Sequence, residues 1–382
     1  MKHTVEQLDK SLDWLWLPAQ TQYVIEQGIA IQQIPAPTFN ESARARYVAE
    51  QFKTIGLQAI LIDELFNVYG LLPGIQKPGV MISAHTDTVF DEQTDLQIRR
   101  ENDLIYGPGL GDNSMGVAGL LGLANILQSL KIIPARDIWF VANTREEGLG
   151  DLGGMKAAFA QLKPHICQVI NLEGMAFGHV YHAGIAVRRL HISATAEGGH
   201  SWLNYGRASA IHGIVELGAR ITALRPPQTP RTTYNIGMID GGQTINAIAT
   251  KASLWLDMRS EESSTLVAFE QEVRAQVDAV SKPYMPFTIE VVGDRPAGSI
   301  APEHPLVQTA MAVLTRVGIQ GTLENGSTDA NVPLSQGVPA VTIGVTRGGN
   351  AHRLDEYIET QPIADGLRQL VLLTLVVANQ NP

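Results

Sequence analysis

The chain has 382 residues, the length of two ordinary domains, and its 45% hydrophobic and 17% charged content is a globular balance that can bury a sizeable core. A net charge of −10 with no basic block argues against a nucleic-acid partner and against a membrane surface. The single cysteine, Cys167, excludes an intramolecular disulfide and reads as a small buried hydrophobe in a strand.

Residues 1–13 are polar and lack the apolar stretch of a secretory signal. The longest apolar runs, such as 370–378, fall far short of a membrane span. The expectation is a soluble, cytoplasmic protein. Short apolar runs at 80–84, 137–142, 168–172 and 340–345 read as strands, each followed by polar or glycine-rich residues. Helical spacing falls between them, at 41–55, 115–130 and 154–162. Strands buried on both faces and alternating with helices predict an α/β domain with a mixed, largely parallel sheet flanked by helices. Its chemistry is expected at the carboxyl ends of the strands.

The middle of the chain differs. Residues 187–194 and 251–257 alternate as half-buried strands, 208–223 and 263–280 are helical, and 287–292 is another strand. This predicts an α+β insert over 183–294 with an antiparallel sheet. A proline-rich return linker would follow at 295–305, and a final helix at 363–379 would close the first domain, residues 1–182 and 295–382.

The polar residues after these strands carry the chemistry. His85-Thr86-Asp87 places an imidazole two residues before a carboxylate that can take its other N–H; a surface turn is the ordinary alternative. Gly107-Pro108-Gly109-Leu110-Gly111-Asp112 brings Asp112 close to something through a tight turn, or simply caps the next helix. Glu146-Glu147 sits between an apolar strand and glycines, where two carboxylates need a compensating cation unless they are solvated. Glu173 and His352 follow further strands. Individually ambiguous, these pieces form a set: five strand ends of one sheet presenting His, Asp, Glu-Glu, Glu and His. Oxygen and nitrogen donors without thiolate suit two divalent ions, zinc, cobalt or manganese, about 3.5 Å apart. Gly148-Leu149-Gly150-Asp151-Leu152-Gly153 matches a dinucleotide-binding pattern, but Glu146, Glu147 and Asp151 would repel a pyrophosphate. No Gly-x-Ser-x-Gly elbow supports a serine hydrolase.

In order and spacing these motifs resemble the dinuclear zinc metallopeptidases and amidohydrolases that include aminoacylase, succinyl-diaminopimelate desuccinylase, acetylornithine deacetylase and peptidase T, from about residue 25 to the end. The resemblance implies that His85 and Glu173 bind one metal, Glu147 and His352 the other, and Asp112 both. Asp87 would orient His85, and Glu146 would act as general base. It also implies a cis peptide bond at Asp112–Asn113, and that the insert is a lid and dimerisation domain. There Gly198-Gly199-His200-Ser201 resembles the motif whose His stabilises the oxyanion, often in a partner subunit. Asn246 resembles a substrate-binding turn residue, and Arg259 the strand-end residue that takes a substrate carboxylate. Read alone, His200 and Asn246 are turn residues and Arg259 an ion-pair partner of Asp257 or Glu261. Ser327 and Thr328, in Gly326-Ser327-Thr328-Asp329-Ala330-Asn331, resemble a substrate-facing loop of peptidase-like members; a loop capping a helix is the alternative. Asn113 and Ser114 stand where many members carry Lys or another residue.

The expected activity is hydrolysis of an amide bond in short peptides, with deacylation of N-acyl amino acids as the alternative reading and a homodimer as the assembly. A non-catalytic metal-binding module is the reading from another class; such a protein would have lost ligands or the base, and here all are present.

Overall fold

The computed structural model describes residues 2–379. It contains two compact units: residues up to Gly184 with those from Gly298 onward, and Ile185–Ala297.

The first unit is built on a nine-stranded sheet. Its four central strands, Arg136–Asn143, Gln76–His85, Ile166–Leu172 and Ala340–Ile343, run parallel in that order. Antiparallel strands Gln58–Ile62 and Val68–Leu72 extend one edge. His179–Gly184 extends the other, antiparallel to Ala340–Ile343, with Gly298–Ser299 and Thr322–Gly326 beside it. Successive side chains of a strand point to opposite faces. Val80, Ile82 and Ala84 accordingly enter one core with the helices Leu17–Gln32, Met115–Ser129 and Ile363–Asn379. Met81, with Val141 and Val169 from the neighbouring strands, enters the core on the opposite face, against the helix Gly153–Leu162. Both faces are covered, which is why these strands read as continuous apolar runs.

The helix Met115–Ser129 is buried almost all round. It can be so because glycines face its neighbours: a Cβ on Gly119 would lie 2.5 Å from Val345 Cγ2, and one on Gly122 would lie 2.4 Å from Val24 Cγ2. Gly122→Ala would force these helices apart, a kind of overpacking that costs about 1–3 kcal/mol.

A second, small antiparallel sheet completes this unit, in the order Gly348–Gly349, Tyr357–Glu359, Leu104–Tyr106, Arg99–Glu101. The segment expected as a linker at 295–305 holds the short strand Gly298–Ser299 and leads into a helix, Pro305–Arg316. The helices Lys2–Ser11 and Leu17–Gln32 were not expected. The first is pinned by Asp9, buried and ion-paired with Arg316 at 2.6 Å and Arg368 at 2.7 Å. Cys167 lies in its strand but is half-buried.

The second unit has a four-stranded antiparallel sheet, ordered Thr232–Gly241, Lys251–Ser260, Ala186–Thr195, Phe287–Arg295. Leu190, Ile192, Leu254 and Leu256 form its core with Ile214 and Leu217 of the helix Ala210–Ala223 and Phe269 and Val273 of Ser263–Val280. Among the described residues no helix is long and apolar enough to cross a membrane.

Candidate metal centre

Three neighbouring parallel strands end side by side. His85 pairs in register with Asn143, three residues before Glu146, and Ser83 with Asn171, two residues before Glu173. His85, the Glu146–Glu147 pair and Glu173 thus emerge together at the carboxyl edge of the sheet.

Asp112 and His352 arrive differently, which corrects the expectation of five strand ends on one sheet. Asp112 lies in the irregular turn Leu110–Ser114, and His352 follows Gly348–Gly349. Both lie in loops that follow strands of the small sheet, where Tyr106 stands opposite Tyr357 and Gly349 opposite Tyr357 on its other side. Pairing of strands some 250 positions apart in the chain joins the two loops.

The five side chains converge. Asp112 divides its oxygens: Oδ1 is 3.2 Å from His85 Nε2 and Oδ2 is 3.0 Å from His352 Nε2. Glu173 Oε2 lies 3.5 Å from His85 Nε2, and Glu147 Oε1 lies 3.0 Å from His352 Nε2. Two donor sets result, His85–Asp112–Glu173 and Asp112–Glu147–His352, each with its atoms within 4.8 Å of one another and sharing Asp112. His85, Glu146 and Glu147 form a third such group.

The carboxylates of this cluster favour protonated imidazoles. Burial opposes charge on His85, but Glu173, Asp112 and Asp87 outweigh it and hold the imidazole well above its ordinary range. Hydrogen bonds to Asp112 and then Glu147 carry His352 up to about 10. Burial pushes the Glu173 carboxyl up, whereas His352 and His85 overcome burial and hold Asp112 well below the usual carboxylate range. Imidazolium protons are thus the only positive charge within the cluster itself. Oxygen and imidazole donors around one shared carboxylate fit two divalent ions.

Several residues hold these groups in place. The Asp112–Asn113 peptide bond is cis, as the resemblance implied. Asn113, which looked only like a departure from the family, ties two ligand loops together: its Nδ2 donates to Leu172 O at 2.9 Å and its Oδ1 accepts from Gly174 N at 2.8 Å. The buried Glu356, not singled out in the sequence, accepts the N–H groups of Gly111 at 2.7 Å and Asp112 at 2.9 Å on one oxygen. Its burial pushes that carboxyl up to about 7. Asp87 was expected to orient His85 through its carboxylate. The His85 Nδ1 contact at 3.2 Å is instead to the Asp87 carbonyl oxygen, with the carboxylate 3.5 Å away. That carboxylate accepts from Glu146 N, Glu147 N and Thr38 Oγ1, each at 2.9 Å. Behind it Arg44 is fully buried and donates to Thr86 O and Ile34 O, both at 2.7 Å; burial lowers its guanidinium to about 10. Asp329, pushed up to about 7 by burial, accepts from Asn143 Nδ2 at 2.6 Å.

Ser327 and Thr328 lie beside the cluster. They line a cavity of about 370 Å³ together with Asp112, Glu173, Met175, His179 and Tyr181. Thr328 Oγ1 shares a hydrogen bond with Thr342 Oγ1 at 3.0 Å.

His200, Asn246 and Arg259 belong to the second unit. His200 pairs with Ala247 in a two-stranded ribbon, and its Nδ1 accepts from Trp202 N at 3.1 Å. Asn246 lies next to it, taking the Ser201 N–H on its carbonyl at 2.9 Å. Arg259 Nε is paired with Asp257 at 2.8 Å, one of the partners that an ordinary reading gave it. A hollow of about 630 Å³ in this unit, lined by Glu197, Arg207, His212 and Glu216, contains none of these three residues.

Three strand ends of a largely parallel sheet and two loops tied by the small sheet gather two donor sets around a shared aspartate, the arrangement of a metal-dependent hydrolase. Residues 81–375 match Peptidase family M20/M25/M40, and the chain belongs to that family. It is 26% identical over 319 residues to the acetylornithine deacetylase of Edwardsiella ictaluri, covering 77% of this chain and 79% of that one. A tripeptidase from Staphylococcus aureus superposes with a TM-score of 0.78 at 20% identity, covering 94% of this chain and 99% of the other. The Bacillus subtilis YXEP protein, described as a dinuclear metal binding peptidase from the M20 family, does so with a TM-score of 0.68 at 15% identity, over 94% and 99%.

Proposed function

We propose that this protein hydrolyses an amide bond in short peptides as a dinuclear exopeptidase. The observation that carries the reading is the shared Asp112, one oxygen toward His85 and the other toward His352. His85, Asp112 and Glu173 would hold one ion, and Asp112, Glu147 and His352 the second, with zinc the leading identity and cobalt or manganese the alternatives. Bound there, two cations supply a Lewis acid for the scissile carbonyl and bring a water's pKa toward neutrality.

The chain's own residues do the rest. Glu146 takes a proton from the attacking water on its carboxylate and delivers it to the leaving nitrogen. The Asp87 carboxylate supports this by fixing the Glu146 main chain. His200 donates to the oxyanion as the carbonyl becomes tetrahedral. Arg259 grips a substrate carboxylate, and Asn246, Ser327 and Thr328 position the remainder. The inserted unit acts as lid and dimerisation surface of a cytoplasmic homodimer.

The similarity to an acetylornithine deacetylase favours a second reading, deacylation of N-acyl amino acids. Both are tested by metal quantification together with amine release from di- and tripeptides and N-acetyl amino acids, before and after chelation. The proposal expects about two ions per chain, loss of hydrolysis on chelation and recovery with zinc or cobalt. Faster release from N-acetyl amino acids than from any peptide would replace peptidase by deacylase. Failure to take up metal would leave a binding fold without this chemistry.

A further inference from the structure

The cavity beside the metal cluster has a charge character that restricts what can enter it. Met175 lines it, and its sulfur lies so close to Gly111 and Gly348 that a Cβ on them would come within 2.4 Å and 2.7 Å. Tyr181, Ser327, Thr328 and His179 line it as well. No lysine or arginine lines it among the described residues.

His179 is the one lining side chain that could become cationic outside the cluster, and it is engaged. Its Nδ1 lies 2.8 Å from Thr322 Oγ1 and 3.6 Å from Glu324 Oε1. Glu324 is thus the anionic group that His179 meets on this side of the cavity, while the Arg347 guanidinium lies by Gly178 and Phe177, outside the lining. At the other end are Asp112 and Glu173, with Glu146 and Glu147 in the same cluster. Four carboxylates would match the four positive charges of two divalent ions, so the loaded centre would carry little net charge to draw an anion into the rest of the cavity. A carboxylate entering the cavity would lose water and find no lysine or arginine on the lining to offset that cost. An apolar group meets Met175 and Tyr181, and a cationic group is favoured by the Glu324 carboxylate next to His179 and by Asp112 and Glu173. At about 370 Å³ the space is at the small end of ligand pockets.

We propose that the cavity bounded by Met175, His179, Tyr181 and Ser327 selects against anionic substrate groups, so that this hydrolase takes amides whose group lodged there is apolar or cationic and rejects those that place a carboxylate in it, succinyl amides and acidic residues included. The inference rests on the amide-hydrolase reading above. A free carboxylate elsewhere on the substrate is untouched by it and remains the partner assigned to Arg259.

The test compares isosteres that differ only in charge. kcat/KM is measured on the metal-loaded enzyme for Gln-Gly against Glu-Gly, for Gly-Gln against Gly-Glu, and for N-succinyl-leucine against N-succinamoyl-leucine, so that both sides of the scissile bond are covered. The expected result is a loss of about tenfold or more, about one lost charge-assisted contact, for the acidic member on one side of the bond. Glu324→Lys should raise the acid-to-amide ratio on that same side, and Glu324→Gln should raise it less. Equal rates for acid and amide on both sides, or a preference for the acid, would overturn the proposal, as would a Glu324→Lys ratio like that of the parent. Calorimetric binding of the same pairs to metal-loaded Glu146→Gln gives a readout independent of turnover. Failure of the hydrolase reading would show as no turnover of any probe by the parent protein, while binding would still sort the charges.

Discussion

The main-chain N–H of Glu146 donates to Asp87 Oδ1 at 2.9 Å, and the adjacent N–H of Glu147 donates to Oδ2 at the same distance. One carboxylate therefore fixes both the proposed base and a proposed ligand, while the carbonyl of its own residue holds His85 Nδ1. Asp87→Asn keeps the shape but turns an amide N–H₂ toward a backbone N–H. Both turnover and metal retention should fall by about 10–100-fold, the usual cost of removing a group that orients ligands. Measured kcat and bound metal near those of the parent protein would show that Asp87 does not organise the Glu146–Glu147 segment.

Glu146→Gln should separate chemistry from binding. The side chain lies outside both donor sets that share Asp112, so two ions should remain by mass spectrometry. Loss of a positioned proton carrier should lower kcat by about 10²–10⁴-fold. A mutant with near-parental turnover would remove Glu146 from the mechanism.

Glu356 offers a test in which the conservative variant is informative. One of its oxygens takes the N–H groups of Gly111 and Asp112, and a glutamine can present the same oxygen. Glu356→Gln should keep the turn and most activity. Glu356→Ala leaves two buried donors unpaired, at about 1–3 kcal/mol each, and should lower the melting temperature and weaken metal retention. Equal behaviour of the two variants would refute the role.

In chelated protein, Asp112 and Glu147 raise His352 to about 10 from its ordinary 6.5. Loading with zinc at pH 8 must then expel its proton. Calorimetry in buffers of different ionisation enthalpy should detect that release, and metal affinity should rise with pH. Because the folded value is the higher one, the His352 contribution to stability is full below about pH 6.5 and fades as pH climbs through about 10. Chelated protein should therefore lose stability across that window through this residue. Release of no protons at pH 8 would contradict the coupling.

The parts of the site that were legible in the sequence share one property: each polar group follows directly on an apolar strand. His85, Glu146, Glu147 and Glu173 do so, and the register of three parallel strands brings them together. Asp112 was singled out by the glycine-rich turn before it and His352 by following an apolar run, while the strands that carry them, Leu104–Tyr106 and Gly348–Gly349, are too short to show periodicity and their sheet was not foreseen. Glu356, Asn113 and Asp329 had no local signal, because their meaning lies in burial and in partners 59 to 245 positions away, or 186 in the case of Asp329. The helix Leu17–Gln32 did carry one: its buried Val24, Gly28 and Ile31 recur at helical spacing, but the glycine dilutes the stripe. The strand Thr232–Gly241, largely exposed along its length, lacks the alternation that a covered strand displays.

The small sheet that joins Tyr106 to Tyr357 also orders events during synthesis. His85, Asp112, Glu147 and Glu173 leave the ribosome in the first half of the chain, and four acids and imidazoles are then present without their fifth member. Only when residues 348–359 have emerged can the last antiparallel pairing bring His352 to Asp112. Completion of the second donor set is therefore the last step in assembling the centre, and a chain released prematurely before that point could assemble at most half of it.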